Sequence, residues 1–239
     1  MITSCWFITG TSRGLGKALA ELLLQRDHVE VHGFARQAAI EHPRYMHHAV
    51  NLSDPQAVAD IRFIIGRTVQ EVVLVNNAAA LGEIVFTGDQ NIQQMISTYQ
   101  LDLITPHVLS NTFIDAFRDQ DLRKIILQVT SGAAQTPYAG WSVYCTAKAG
   151  LDMLTQCMAK EQALAKYPCH VFAIAPGVMD TDMQTQIRAA EKGYFPAYQK
   201  FADLYENRQL YQVRDVAAKY IAFVDTCTGA EEIIQRIVL

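Results

Sequence analysis

Residues 9–16 read Thr9-Gly10-Thr11-Ser12-Arg13-Gly14-Leu15-Gly16. The apolar run Trp6-Phe7-Ile8 before this stretch predicts a strand, and the leucines after it follow helical spacing. Glycines allow a tight turn and let the backbone approach a pyrophosphate, while the N-terminus of the next helix offers free N–H groups and positive potential. The stretch therefore predicts a phosphate-binding turn between a strand and a helix.

Predicted strands and helices alternate along the rest of the chain. Further strands are predicted at 29–34, just before Val50, and at 72–75, 125–129, 171–175 and 233–238. Helices are predicted to begin at Asp54-Pro55 and to cover 92–117, 144–165 and 216–224. Because the strands are apolar on both faces, helices must cover both sides of a parallel sheet. We expect an α/β fold of the Rossmann type, a doubly wound parallel sheet of about seven strands.

The stretch 181–212 interrupts this alternation. It is rich in aromatic residues, namely Tyr194, Phe195, Tyr198, Phe201, Tyr205 and Tyr211. In doubly wound folds an insertion near the carboxyl ends of the strands commonly covers a ligand crevice. We therefore expect residues 1–239 to form one domain in which 181–212 is a substrate lid.

The composition excludes several classes of protein. Half of the 239 residues are hydrophobic, 18% are charged and the net charge is −4, which suits a large core and not a nucleic-acid or membrane-surface binder. No apolar run approaches the roughly 18 residues needed to span a bilayer, and residues 1–7 predict a strand instead of a signal peptide. Five cysteines without a close C-x-x-C pair indicate a reduced, cytoplasmic protein. His47-His48 lacks partners at metal-ligand spacing, so we expect no metal site.

Four further motifs follow the glycine-rich turn in a fixed order. Asn76-Asn77-Ala78-Ala79 stands after the fourth predicted strand, and Ser131 lies thirteen positions before Tyr144, which begins Tyr-x-x-x-Lys with Lys148. Pro176-Gly177 and then Thr181 follow the sixth strand. With the T-G-x-x-x-G-x-G turn, this ordered set resembles the short-chain dehydrogenase/reductase family over nearly the whole chain. Within the family, 140–148 and 175–184 resemble the sepiapterin reductases and the bacterial benzil reductases.

The resemblance implies a nicotinamide cofactor and names its contacts. These are Gly10, Ser12, Arg13, Gly14, Leu15, Gly16, Ala35, Arg36, Asn51, Leu52, Asn77, Ala78, Ala79, Tyr144, Lys148, Pro176, Gly177, Met179, Thr181 and Met183. Two of them depart from the family pattern, since Asn51 stands where the family has an Asp near the adenine and Ala79 replaces a Gly. We expect Ala79 to require a modest adjustment.

The end of the second strand predicts NADP(H). Members that use NAD end this strand with an acid, which binds the ribose hydroxyls and repels a 2′-phosphate. Here the strand ends Phe34-Ala35-Arg36, and Arg13 lies in the turn. Arginine makes two charge-assisted hydrogen bonds to phosphate, so the two cations favour NADP(H).

Carbonyl reduction requires a proton for the oxygen, and Tyr144 is the predicted donor. A free tyrosine has a pKa of about 10, and a nearby ammonium together with oxidised nicotinamide lowers it. Lys148 lies four residues further along a predicted helix and so shares a face with Tyr144. By resemblance, Lys148 also binds the nicotinamide ribose, and Ser131 orients the substrate carbonyl.

Asp102 stands at the fourth catalytic position, where the family has an Asn. That Asn acts largely through its main-chain carbonyl, which holds a water leading to the lysine. Pro106 lies four residues later and has no N–H, so we expect the carbonyl of Asp102 to stay free and this relay to survive.

The predicted substrate is a small-molecule carbonyl, a bulky or aromatic dicarbonyl that contacts Ser131, Tyr138, Trp141 and Tyr144. Pterin recognition is disfavoured, because Ile233 stands where sepiapterin reductase has an anchoring Asp. Two alternatives remain open, a catalytically weak NADP-binding sensor or scaffold and an NADP-dependent alcohol dehydrogenase. The resemblance also implies a homodimer or homotetramer.

Overall fold

The computed structural model describes residues 1–238, and these residues form a single parallel sheet of seven strands. The strands are β1 (Ser4–Thr9), β2 (Val29–Ala35), β3 (Tyr45–Ala49), β4 (Glu71–Asn76), β5 (Arg123–Val129), β6 (Cys169–Ala175) and β7 (Ile234–Arg236). They lie in the order β3-β2-β1-β4-β5-β6-β7, and every neighbouring pair is parallel. The direction of strand succession reverses between β1 and β4, and a ligand crevice opens at such a switch point, outside the carboxyl ends of the strands.

Helices cover both faces of the sheet. They are α1 (Gly14–Leu23), α2 (Pro55–Ala59), α3 (Ile92–Tyr99), α4 (Thr105–Phe117), α5 (Ser142–Gln162), α6 (Asp182–Arg188), α7 (Tyr198–Glu206) and α8 (Val213–Thr226). Alternate residues of β1 show why both faces need cover. Trp6 and Ile8 pack in the same core cluster as α1 and α8, whereas Cys5 and Phe7 pack on the opposite side with α4. The predicted fold class is therefore confirmed, as is the helix that begins at Pro55 with Asp54 as its cap.

The predicted helix over 92–117 is wrong in one respect. α3 ends at Tyr99, a π-helical turn covers Gln100–Ile104, and α4 begins at Thr105. Pro106 consequently lies in the first turn of α4, directly after the π-helical turn. Single π-helical turns are rare and frequently occur at functional sites. The last strand is also shorter than predicted, since β7 covers only Ile234–Arg236.

The lid segment, residues 181–212, contains α6 and α7 and has an apolar cluster of its own. Ile187, Phe195 and Phe201 of the lid segment pack against Leu81 and Trp141 of the domain. A parallel bridge between Met179 and Tyr211 joins the two ends of the segment. Among the described residues, every helix is too short or too polar to cross a bilayer.

Candidate active site

A crevice of about 1840 Å³ opens at the carboxyl ends of the strands and brings most of the predicted site together. The predicted residues that line it are Gly10, Ser12, Arg13, Gly14, Leu15, Ala35, Arg36, Asn51, Leu52, Asn77, Ala78, Ala79, Ser131, Tyr138, Trp141, Tyr144, Lys148, Pro176, Gly177, Met179, Thr181 and Met183. Gly16 and Asp102 are absent from the lining and lie behind it. Ligand pockets typically have volumes of about 300–1,000 Å³, so this crevice has room for a dinucleotide and a substrate.

The glycine-rich turn packs tightly against the loop after β4. The Asn77 side-chain amide donates to the carbonyl of Thr9 at 2.8 Å, and the Thr9 hydroxyl accepts the N–H groups of Asn77 and Ala78, both at 2.9 Å. A Cβ on Gly10 would lie 2.9 Å from this amide, and Gly10 has a φ of +74°, which L side chains rarely adopt. A Cβ on Gly16 would lie 2.5 Å from the Gly10 carbonyl oxygen. Gly16 therefore serves the packing of α1 against the turn and does not face the crevice.

The other side of the turn suits an anion. Gly14 has a φ of +55°, and a Cβ there would meet nothing within 4 Å, so the turn presents bare backbone to the crevice. No side chain caps the first turn of α1, and its N–H groups are therefore free to bind a phosphate. These features fit a pyrophosphate at the start of α1, with the ribose side at Ala35 and the nicotinamide side at Pro176-Gly177.

Two arginines flank the end of the crevice beside β2, and they differ in their partners. Arg36 follows β2 directly and forms no ion pair with any residue in 1–238. Arg13 is engaged, because its guanidinium contacts the carboxylate of Asp182 at 2.9 Å across the mouth of the crevice. The Arg13–Asp182 contact joins residues 169 positions apart, and sequence spacing gave no signal for it.

Ser131, Tyr144 and Lys148 come from two elements that meet at the crevice. Ser131 lies just beyond β5, where its Oγ accepts the N–H of Ala133 at 3.1 Å. Tyr144 and Lys148 lie one turn apart on α5, and the Lys148 Nζ is 5.7 Å from the centre of the Tyr144 ring. Lys148 also donates to the carbonyl of Val129 at 3.2 Å, which fixes the ammonium beside the end of β5.

The surroundings of Tyr144 raise the pKa of its phenol. Burial of the phenol is the main cause and the negative charge of Asp102 adds to it, whereas a hydrogen bond with Ser131 acts in the opposite direction. The sequence led us to expect a lowered pKa from the neighbouring ammonium. The difference arises because burial and the carboxylate of Asp102 are tertiary features that the spacing of Tyr144 and Lys148 does not reveal.

Asp102 lies fully buried in the π-helical turn and contacts Lys148 through its side chain. Its Oδ1 accepts the N–H of Ala80 at 2.8 Å, and its Oδ2 lies 3.5 Å from the Lys148 Nζ. At that distance the contact is an ion pair longer than a typical charge-assisted hydrogen bond, and Oδ2 accepts no hydrogen bond from residues 1–238. Burial raises the pKa of Asp102 above its ordinary value, while the ammonium and the Ala80 amide oppose this shift. Sequence reasoning assigned a role only to the main chain of Asp102 and missed this side-chain contact.

Aromatic side chains line the substrate end. Trp141 stacks on Phe195 with ring centres 4.6 Å apart and meets Tyr144 edge-on at 5.9 Å. The Tyr138 ring lies 5.1 Å from the Trp141 ring between centres, and the Tyr138 hydroxyl accepts a 2.8 Å hydrogen bond from Lys200. Of the aromatic residues predicted in the lid segment, Phe201 and Tyr211 line the crevice.

Charged residues of the C-terminal segment also line the crevice, and sequence reasoning missed them. These are Glu231, Glu232 and Arg236, whereas Ile233, the position compared with a pterin-anchoring Asp, is not among the lining residues. The only signal in the sequence for these three charged residues was that they lie next to the last predicted strand. The ends of the strands at this edge of a parallel sheet border the crevice.

A cluster with metal-ligand chemistry lies apart from this crevice. Potential ligand atoms of Cys5, Glu30 and His32 lie within 4.8 Å of one another, because β1 and β2 pair Cys5 with Glu30. The Arg67 guanidinium contacts Glu30 at 3.1 Å, and His32 hydrogen-bonds to His48 at 3.0 Å. The cluster is thus charge-balanced and hydrogen-bonded by its protein neighbours.

The fold and the crevice define a dinucleotide-binding protein of the Rossmann type. The sequence profile described as "short chain dehydrogenase" matches residues 4–192. The chain therefore belongs to the short-chain dehydrogenase/reductase family, whose members are oxidoreductases that use nicotinamide cofactors.

Within this family, the chain is most informatively compared with three individual proteins. The chain is 33% identical over 229 residues to a benzil reductase ((S)-benzoin forming) of Bacillus subtilis (strain 168), covering 93% of this chain and 94% of that protein. It is 27% identical over 202 residues to a sepiapterin reductase of Xenopus tropicalis, covering 76% of each. Among solved structures, the KRED1-Pglu enzyme superposes with a TM-score of 0.81 and 26% identity, covering 98% of this chain and 100% of that chain. The resemblance to the benzil and sepiapterin reductases is therefore confirmed.

Proposed function

We propose that this protein is an NADPH-dependent reductase of ketones or vicinal dicarbonyls. The observation that carries the proposal is the meeting of Ser131, Tyr144 and Lys148 in the same crevice as the glycine-rich turn. The residues of the turn, the β2 end and the Pro176-Gly177 loop would hold the cofactor, which supplies a hydride when bound.

The protein's own groups then handle the carbonyl oxygen. The Ser131 hydroxyl, which the Ala133 amide holds beside the crevice, donates its proton to that oxygen and orients it. Tyr144 donates the proton that the oxygen requires after hydride addition. The Lys148 ammonium, held near the ring and the Val129 carbonyl, stabilises the tyrosinate that remains. The net reaction consumes one NADPH and one proton for each alcohol formed.

The β2 end supports NADPH over NADH. Arg36 is exposed, lines the crevice and forms no ion pair within residues 1–238, so its guanidinium is available to a 2′-phosphate. The strand carries no acid at its end, and a ribose 2′-phosphate therefore meets no repulsion there.

The substrate end supports a bulky or aromatic dicarbonyl. Tyr138, Trp141 and Tyr144 present aromatic surface beside Ser131, and the lid segment covers it with Phe201. The relative from Bacillus subtilis matches this chain over nearly the full length of both proteins. Its name refers to benzil, a diketone between aromatic rings.

The test is NADPH consumption with benzil-like diketones, sepiapterin and quinones, comparing the wild type with Tyr144→Phe. Loss of a general acid typically lowers the rate by about 10²–10⁴-fold, and we expect this loss with unchanged NADPH binding. Tyr205→Phe is the matched control, because Tyr205 is exposed and outside the crevice lining. Unchanged turnover in Tyr144→Phe refutes the mechanism. Binding without turnover in the wild type favours a sensor or scaffold, and turnover only with alcohols and NADP+ favours a dehydrogenase.

We further propose that the protein works as a homodimer or homotetramer in the cytoplasm. α3 and α5 pack side by side and leave apolar side chains exposed, with Ile92 64%, Ile96 54% and Met153 59% accessible. A second copy of the chain would bury this row. All five cysteines are free thiols, which suits a reducing compartment.

A further inference from the structure

The strongest feature that the proposed reaction leaves unexplained is the buried carboxylate of Asp102. Asp102 has no exposed surface and Lys148 is only 3% exposed, so the protein shields the two charges from bulk solvent. A buried charge is costly unless it is paired, and here the ammonium and the Ala80 amide pair it. An amide at this position would accept the same Ala80 N–H without bringing a charge.

The charge of Asp102 reaches Tyr144 as well as Lys148. Four groups face the phenol and the ammonium from the surrounding elements: Asp102 from the π-helical turn, Ser131 from the end of β5, and Cys145 and Asp152 from α5. The negative charge of the Asp102 carboxylate opposes the charged form of Tyr144 more strongly than Cys145 does, whereas the hydrogen bond with Ser131 favours it. Asp152 differs, because its Oδ1 accepts a hydrogen bond from the Thr130 hydroxyl and its charge acts on Lys148.

We propose that Asp102 is a positioning residue that holds the Lys148 ammonium and disfavours the tyrosinate, so that Tyr144 keeps its proton and the reductase stays active to a higher pH. The proposal rests on the proposed function. Reduction requires Tyr144 protonated at the start, whereas alcohol oxidation requires it ionised. A negative charge beside the Tyr144–Lys148 pair stabilises the protonated phenol and therefore extends reduction to higher pH.

Asp102→Asn isolates this charge. Asparagine keeps the side-chain volume and the acceptor for the Ala80 N–H, so the loop after β4 keeps its anchor. Removing the charge lowers the pKa of Tyr144, and the reductase activity, which is present below that pKa, is lost at a lower pH. We expect the alkaline limb of the reduction profile to move down by about one pH unit. The acid limb of alcohol oxidation, which requires the tyrosinate, should move down by about the same amount.

Asp152→Asn is the matched control, since it removes an equal charge one turn from Lys148. Its carboxylate is not among the groups that shift the pKa of Tyr144, so we expect a clearly smaller movement of both profiles. Equal movement in the two variants, or profiles of Asp102→Asn that superimpose on the wild type, overturns the proposal.

A second readout does not depend on turnover. The phenolate absorbance of Tyr144 is obtained with NADP+ bound, as the difference between each variant and the same variant carrying Tyr144→Phe. We expect this absorbance to appear at lower pH in Asp102→Asn than in the wild type, and coincident titrations overturn the role of Asp102. If the wild type turns over no carbonyl or alcohol, the proposed function fails, and the titration still decides whether Asp102 controls Tyr144.

Discussion

Replacing Arg36 with alanine tests the cofactor preference most directly. Arg36 lines the crevice at the end of β2, is exposed, and has no ion-pair partner among the described residues, so its guanidinium is free for the 2′-phosphate. Hydrogen bonds to a charged group contribute about 1.5–3 kcal/mol, and an exposed site favours the lower end of this range. A loss of about 1.5–2 kcal/mol corresponds to a Kd for NADPH that is roughly 10–30-fold higher. NADH lacks the phosphate, and its Kd should not change.

The structure predicts a smaller effect at the second arginine. Arg13 must leave Asp182, which it contacts at 2.9 Å, before it binds a phosphate. An exposed pair of this kind contributes about 0–1 kcal/mol, so Arg13→Ala should weaken NADPH by less than tenfold and by less than Arg36→Ala does. Asp182→Ala frees Arg13 and should lower the Kd for NADPH by about twofold to fivefold.

The assay is quenching of intrinsic fluorescence by NADPH and by NADH at two salt concentrations. Arg118→Ala is the control, since Arg118 pairs with Asp115 on α4 and does not line the crevice. The effect of Arg36→Ala should shrink at high salt, because screening weakens exposed charge interactions. Equal weakening of NADPH and NADH, or no change in either, refutes the assignment of Arg36 to the 2′-phosphate.

Two further changes test the packing of the turn and the proposed dimer. Gly16→Ala places a methyl 2.5 Å from the Gly10 carbonyl oxygen. We expect this change to destabilise the protein by about 1–3 kcal/mol, which corresponds to a fall of about 2–12 °C in Tm. Gly66→Ala, where a Cβ meets nothing within 4 Å, should leave Tm nearly unchanged. Comparable melting temperatures for the two variants would contradict the packing role of Gly16. Ile96→Glu puts a charge into the exposed row on α3 and should yield monomers in light scattering. Ile64→Glu, at a still more exposed site outside this row, should leave the oligomer intact. An unchanged oligomer in Ile96→Glu would exclude this face.

The sequence predicted much of the fold because the decisive signals are local. A strand, a glycine-rich turn and a helix follow one another within residues 4–23, and strands that are apolar on both faces imply helices on both sides. The interruption of the predicted helix over 92–117 was harder to predict. Pro106 lies inside that range, but no residue pattern indicated the π-helical turn at Gln100–Ile104, which depends on how the segment packs.

Most of the candidate site was predictable for a related reason. The carboxyl ends of parallel strands meet at one edge, so residues that follow β1, β2, β4, β5 and β6 converge there whatever their separation in sequence. Gly16 was assigned to the cofactor, yet it lies behind the turn, because only the three-dimensional path of α1 shows which side of each glycine is open. Glu231, Glu232 and Arg236 line the crevice although they belong to no recognisable sequence motif.

The amino-acid sequence by itself determined the glycine-rich turn, the doubly wound sheet, and the spacing that puts Tyr144 and Lys148 on one face of α5. Each of these depends on residues close together along the chain or on the regular geometry of helices and parallel strands. Only the tertiary structure decided that the carboxylate of Asp102 lies 3.5 Å from Lys148 and that Arg13 contacts Asp182. Those contacts set the charge around the phenol and around the glycine-rich turn, and electrostatic effects depend on distance and burial, which sequence spacing does not contain.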